Sequence, residues 1–167
     1  QNIENLKPVI PSGNSDSASL DNVFELLTTS GHSAPLAKLM LIPDAWSKKS
    51  KVLPKEHLQL FNFLNSSMEP WDGPAAIAGT DNEWVIVASD RNGLRPMRYT
   101  VTNDKLLFAG SETGMIDINE EKIIEKGRLG PGEILGIRIE KGKIFRNTEI
   151  KNYLAKEYKH FNNQIID

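Results

Sequence analysis

The hydrophobic pattern changes period once along the chain, near Pro74, and that change limits the fold more than any other feature. Before it, apolar residues recur at helical spacing; after it, short strands follow one another at turn-forming residues. Leu20, Val23, Phe24 and Leu27 fall at i, i+3, i+4, i+7 and define one helix face. Ser15-Asp16-Ser17 supplies capping side chains at its start and Gly31 a stop at its end. A second helix is predicted over Ala34 to Leu41, ended by Pro43. A third is predicted from Pro54 to Asn65, with Leu58, Phe61 and Leu64 sharing one face. Between them Ser47-Lys48-Lys49-Ser50-Lys51 reads as a solvated loop.

Beyond Pro74 the sequence predicts strands over Ala75 to Gly79 and Glu83 to Ser89, turned at Asp81-Asn82. A second hairpin joins Met97 to Thr102 with Lys105 to Ala109 across Asn103-Asp104. Three further strands follow over Ile123 to Lys126, Glu133 to Ile139 and Lys143 to Phe145, then a closing helix from Glu149 to about His160. Trp84-Val85-Ile86-Val87-Ala88 and Ile134-Leu135-Gly136-Ile137 are apolar on both faces, so those strands belong between two layers. The expectation is an α+β fold, a mostly antiparallel sheet covered by helices, in one domain over 1–167.

The chain has no cysteine, which removes disulfides, thiolate-held zinc, iron–sulfur ligation and a cysteine nucleophile from its own chemistry. Its three histidines, His32, His57 and His160, are too scattered for a metal-ligand spacing. A formal charge of -2 gives no field that would attract nucleic acid. No apolar run approaches the ~20 residues of a membrane helix, so no membrane partner is expected. The reading is a cytoplasmic protein, and the absence of Met at position 1 suggests a piece of something longer.

Four segments could carry chemistry. In Asp90-Arg91-Asn92-Gly93-Leu94-Arg95-Pro96 the guanidiniums could clamp a carboxylate, or pair with Asp90 to fix the loop. Glu112, within Gly110-Ser111-Glu112-Thr113-Gly114, is a lone carboxylate at a strand end. Glu69 and Asp72 stand three apart in the Met68 to Pro74 loop, with nothing to isolate a perturbed pair. Asp16 reads either as a helix cap or as a carboxylate that binds a ligand ammonium.

Gly13 to Leu27, Met68 to Ala76, Asp90 to Tyr99, Gly110 to Gly114 and Glu125 to Gly132 together resemble, in the same order, the glutaminase region of the glutamate synthase large subunit. The Ser-Asp-Ser turn and the Asp-x-x-Gly-x-Arg-Pro loop are shared by class II glutamine amidotransferases more widely. The resemblance implies an N-terminal-nucleophile hydrolase fold, a four-layer αββα sandwich of mostly antiparallel sheets. It further implies an amino-terminal Cys that attacks the glutamine side-chain amide, its α-amino group as base, a Gly/Asn oxyanion hole, and an Arg on the substrate carboxylate. Ammonia would then reductively aminate 2-oxoglutarate on a flavin-containing domain, with FMN and an iron–sulfur cluster in the parent enzyme and a small subunit or ferredoxin as partner.

None of the nucleophile or oxyanion segments has a match here. The expectation is therefore a single, incomplete amidotransferase domain, 1–167, with those segments missing upstream, no catalytic residue and no cofactor of its own, and no activity alone. Such a truncated sandwich should also expose apolar edges. By resemblance Asp16 binds the α-ammonium of glutamine, Ser15 and Ser17 shape the turn, Arg91 and Arg95 serve loop structure, and Glu112 stands on the far wall of the site. The competing reading is a cysteine-free binding or amino-acid-sensing module that reuses the fold.

Overall fold

The computed structural model describes residues 7–44 and 54–158. Three helices come first: α1 (Asp16–Thr29), α2 (Ala34–Leu41) and α3 (Lys55–Ser67). Seven strands follow, β1 (Ala76–Thr80), β2 (Trp84–Ser89), β3 (Arg98–Thr102), β4 (Leu107–Gly110), β5 (Ile123–Arg128), β6 (Ile134–Arg138) and β7 (Lys143–Phe145), and α4 (Asn147–Glu157) closes the series. The predicted lysine-rich loop at 47–51 and the end of the last helix at His160 lie outside the described residues.

The strands form two antiparallel sheets, β1-β2-β6-β7 and β4-β3-β5. Side chains of one strand alternate between faces, and the apolar runs of β2 and β6 use both. Trp84, Ile86, Ala88 and Ile134 point into a core shared with the helices, whereas Val87 and Leu135 join Met97 and Leu129 in a second core that reaches Tyr99, Leu107 and Ala109 of the smaller sheet. The described residues are thus layered as helices, four-stranded sheet, three-stranded sheet. This is the α+β arrangement expected, with the doubly apolar strands in the middle layer.

Apart from Lys38, helix α2 is apolar on every face, and all eight of its residues are buried between α1, α3 and β2. Its first turn is capped from outside. The Asp81 carboxylate of the β1–β2 turn accepts from Ala34 N–H, and its other oxygen accepts from Glu83 N–H at 2.9 Å and Trp84 N–H at 2.7 Å. Asn82 turns the chain there with φ 74°. Trp84 then packs edge-on to Phe145, ring centres 5.0 Å apart, and against Tyr153 of α4. Gly136, paired with Ile86, leaves tight quarters for a side chain: a Cβ would stand 3.2 Å from both Ile150 and the Trp84 ring.

Two local expectations need correction. The buried face of α3 is His57, Leu60, Phe61 and Leu64, while Leu58 stays 36% exposed. The helix is rotated because α4 packs beside it, where His57 Nε2 meets Asn152 Oδ1 at 2.7 Å. The β3–β4 turn is also longer than an Asn-Asp pair, since the left-handed residue is Lys105, φ 65°. No described helix is long and apolar enough to cross a membrane.

Candidate functional site

The start of α1 is built by serines. Ser15, not Asp16, is the N-cap: its extended backbone stands before the helix and its Oγ accepts from Ala18 N–H at 3.2 Å. Its carbonyl accepts from Ser19 N–H at 2.9 Å and from Ser19 Oγ at 3.0 Å, and its hydroxyl lies 3.2 Å from that of Ser17. With capping done by Ser15, Asp16 becomes the first helical residue. Its carboxylate is exposed, at the positive end of the helix dipole, and makes no hydrogen bond or ion pair among the described residues. The cap reading of Asp16 is thereby corrected.

Ser17, Leu20, Asp21 and Phe24 continue along one face of α1 and line a groove of about 450 Å³, whose other wall is Pro74 to Ala78 of the β1 segment. Lys38 and Arg95 also border it. Asp16 stands beside this groove in sequence without lining it.

The Asp90 loop is held by backbone rather than by arginine. Asp90 is buried, and its carboxylate accepts four backbone N–H bonds: from Asn92 and Leu94, both at 3.0 Å, from Arg95 at 2.9 Å and from Ala75 at 3.2 Å. Burial alone would raise its pKa, but the four donors outweigh it and hold it below the ordinary 3.8. Neither Arg91 nor Arg95 forms an ion pair with it among the described residues, so the expected guanidinium–Asp90 pairing is replaced by an Asx-type turn. The Asp90 carbonyl in turn accepts from Gly93 N–H and Gly132 N–H, tying this loop to the β5–β6 connection.

Under the same loops lies a charged cluster that sequence reading passed over. Lys38, 1% exposed, donates from Nζ to the Gly132 carbonyl at 2.6 Å, while the buried Lys151 of α4 pairs with Asp44. The second Asp44 oxygen, Oδ1, is buried without a hydrogen-bond partner among the described residues. The signal was available: a lysine in the middle of the otherwise apolar helix Ala34–Leu41 has no face on which to avoid burial. Burial pushes the Lys38 amine from 10.5 down to about 8, with Asp44 and Asp90 opposing and Lys151 assisting.

A lysine with a depressed folded pKa releases its proton more readily folded than unfolded, so stability rises with pH between the two values. Unfolding free energies of the chain and of Lys38→Met, compared from pH 7 to 10.5, should differ by a constant amount below pH 8. Above it the difference should shift in favour of the lysine protein by ~3 kcal/mol in all. A difference independent of pH would show that Lys38 titrates normally.

The remaining candidates lie apart. Glu112 lines a separate hollow of about 620 Å³ on the outer face of the three-stranded sheet, with Arg98, Thr100, Phe108 and Lys126, and this hollow shares no residue with the α1 groove. Glu69 and Asp72 are exposed in a loop pinned at Trp71, whose backbone N–H donates to the Leu41 carbonyl at 2.6 Å. No group of three or more metal-ligating side chains occurs among the described residues, and a chain without thiolates does not fit an iron–sulfur cluster.

Two antiparallel sheets stacked on a helical layer give an α+β fold, and comparison of the sequence with known families identifies the family. The chain belongs to the class-II glutamine amidotransferases, whose family model matches residues 1–163. Within that class it is similar to glutamate synthases. It is 54% identical over 153 residues, 92% of this chain, to the NADPH glutamate synthase large chain of Azospirillum brasilense, and 39% identical over 158 residues, 95% of this chain, to that of Bacillus subtilis. It is 38% identical over 157 residues, 93% of this chain, to the ferredoxin-dependent glutamate synthase 2 of Synechocystis. In each case the match covers 10% of the relative, so the chain spans about a tenth of the length of these proteins.

Proposed function

We propose that residues 1–167 act as one segment of the glutamine amidotransferase domain of a glutamate synthase, contributing the ammonium side of the glutamine pocket. The observation that carries this is Asp16: a solvent-facing carboxylate in the first turn of α1, unpartnered among the described residues, in a chain of this family. A carboxylate fixed by a capped helix meets a substrate ammonium as a charge-assisted hydrogen bond without first breaking a protein contact. Ser15 and Ser17 hold the turn that presents it.

The reaction is hydrolysis of the glutamine side-chain amide. A cysteine thiol supplied by another segment gives its proton to a base as the sulfur adds to the amide carbon. The C–N bond breaks and the nitrogen takes that proton to leave as ammonia; water then cleaves the thioester to give glutamate and restore the thiol. This chain has no cysteine, so alone it carries out neither step. FMN, an iron–sulfur cluster, and the small subunit or ferredoxin belong on this reading to other parts of the parent enzyme, and this segment holds none of them.

Incubation of the isolated 167-residue chain with glutamine should release ammonia no faster than buffer does. Full-length protein containing the segment should hydrolyse glutamine. Turnover by the isolated chain would overturn its assignment as a non-catalytic segment, and a full-length protein without glutaminase activity would overturn the amidotransferase reading.

A further inference from the structure

The Asp90 loop contains a chemically labile pair. Asn92-Gly93 is the only asparagine–glycine sequence in the chain. In such a pair the glycine nitrogen can attack the asparagine side-chain amide, because no Cβ on the second residue shields that nitrogen. Asn92 is exposed, and its carboxamide makes no hydrogen bond among the described residues. The electrophile is thus solvent-facing and free to turn, and reaction depends on the nitrogen.

The fold withholds that nitrogen. Gly93 N–H donates to the Asp90 carbonyl at 3.1 Å and closes a four-residue turn with Arg91 and Asn92 at its centre. Neither central residue has a positive φ, so the turn is of type I and Asn92 takes its third position, where ψ is about 0°. Closing a five-membered ring requires the Asn92 Cα–C bond to rotate well away from that value, swinging the Gly93 nitrogen toward Cγ. Such a rotation breaks the Gly93 bond and pulls Leu94 N–H and Arg95 N–H off the Asp90 carboxylate, where they stand at 3.0 and 2.9 Å. Pro131 adds a steric stop, since its ring lies 3.0 Å from where a Cβ on Gly93 would be.

We propose that Asn92 is a self-modification site, held shut by the hydrogen-bonded cage around Asp90 and reactive whenever that cage opens. The Gly93 nitrogen then loses its proton and bonds to Asn92 Cγ, while the side-chain nitrogen takes up a proton and leaves as ammonia. Water opens the resulting succinimide at either carbonyl, giving aspartate or isoaspartate; the latter reroutes the main chain through the side chain. Both products place a carboxylate between Arg91 and Arg95, two guanidiniums without an ion pair among the described residues. Arg95 borders the α1 groove, so the charge of that wall changes with the conversion. The chemistry consumes only water and does not depend on the amidotransferase reading.

Peptide mapping of the full-length protein aged at neutral pH, with hydrogen exchange resolved at the Gly93 amide, tests it. Native Asn92 should convert at least ~10-fold more slowly than in the free peptide Ser89 to Arg95, and the slowing should match the Gly93 protection factor to within about fivefold. Asp90→Asn keeps part of the cage, and it should speed conversion at least ~5-fold while lowering Gly93 protection in parallel. Asn92→Gln should stay unmodified, because its longer side chain closes the ring poorly. Conversion as fast as in the peptide would show that the cage holds nothing shut. Conversion far slower than Gly93 protection allows, or a rate unchanged in Asp90→Asn despite lost protection, would equally overturn the proposal. The comparison within the wild-type protein decides the matter even where the variant fails to fold.

Discussion

Asp90→Ala should lower the stability of the fold by ~4 kcal/mol, a fall in Tm of roughly 10 °C for a chain of this length. The substitution strips the acceptor from the N–H groups of Ala75, Asn92, Leu94 and Arg95 at once. Each donor left buried and unpaired costs about 1–3 kcal/mol, reduced where water reaches the exposed side of the loop. Asp90→Asn should cost less, because one side-chain oxygen still accepts while the amide nitrogen faces two donors it cannot serve. The advantage of the wild-type chain over Asp90→Ala is present above the ordinary carboxylate range and shrinks as the pH falls below 3.8, since the folded-state pKa is depressed. Thermal melts at pH 7 and pH 3 check both parts; a loss under ~1 kcal/mol would mean that solvent serves those donors as well as the carboxylate does.

Much of this architecture was legible because its signals are local. The span of α2 and of β7 follows from Pro43, the apolar run between, and the Lys141-Gly142 turn, where Gly142 has φ 55°. The doubly apolar runs of β2 and β6 identified the middle layer, since only strands covered on both faces can be written that way. What was not legible depends on residues distant in sequence. Leu58 fits the α3 face by period alone, but α4 decides which side is covered. Asp90 suggested an arginine partner because opposite charges adjoin it in sequence, whereas the fold offers it four backbone donors. The Asp81 cap on α2 spans 47 residues and the Lys151–Asp44 pair 107. At the candidate site, the Ser-Asp-Ser start of α1 was readable as a helix end, but which of the three residues caps is settled by backbone angles at Ser15.

The second large effect concerns glutamine itself. In the full-length enzyme Asp16→Asn should raise the glutamine KM by ~10- to 100-fold and leave kcat within a few-fold, because an ammonium held equally in ground and transition states contributes uniform binding. Asparagine keeps the size and one acceptor of aspartate, and Ser15 still caps the helix, so the folded structure should persist. The change therefore reports charge pairing rather than collapse. Unchanged circular dichroism and melting temperature would accompany the rise in KM.

A measurement that isolates the ammonium decides whether Asp16 belongs to the glutamine pocket. Glutamine and its analogue lacking the α-amino group are compared as substrates, by kcat/KM, in the full-length enzyme with Asp16 and with Asp16→Asn. The wild-type enzyme should prefer glutamine by ~10- to 100-fold, and the variant should lose most of that preference by turning over glutamine poorly while treating the analogue almost as before. A variant that keeps the full preference would show that the ammonium is recognised elsewhere and that Asp16 is no part of the glutamine pocket.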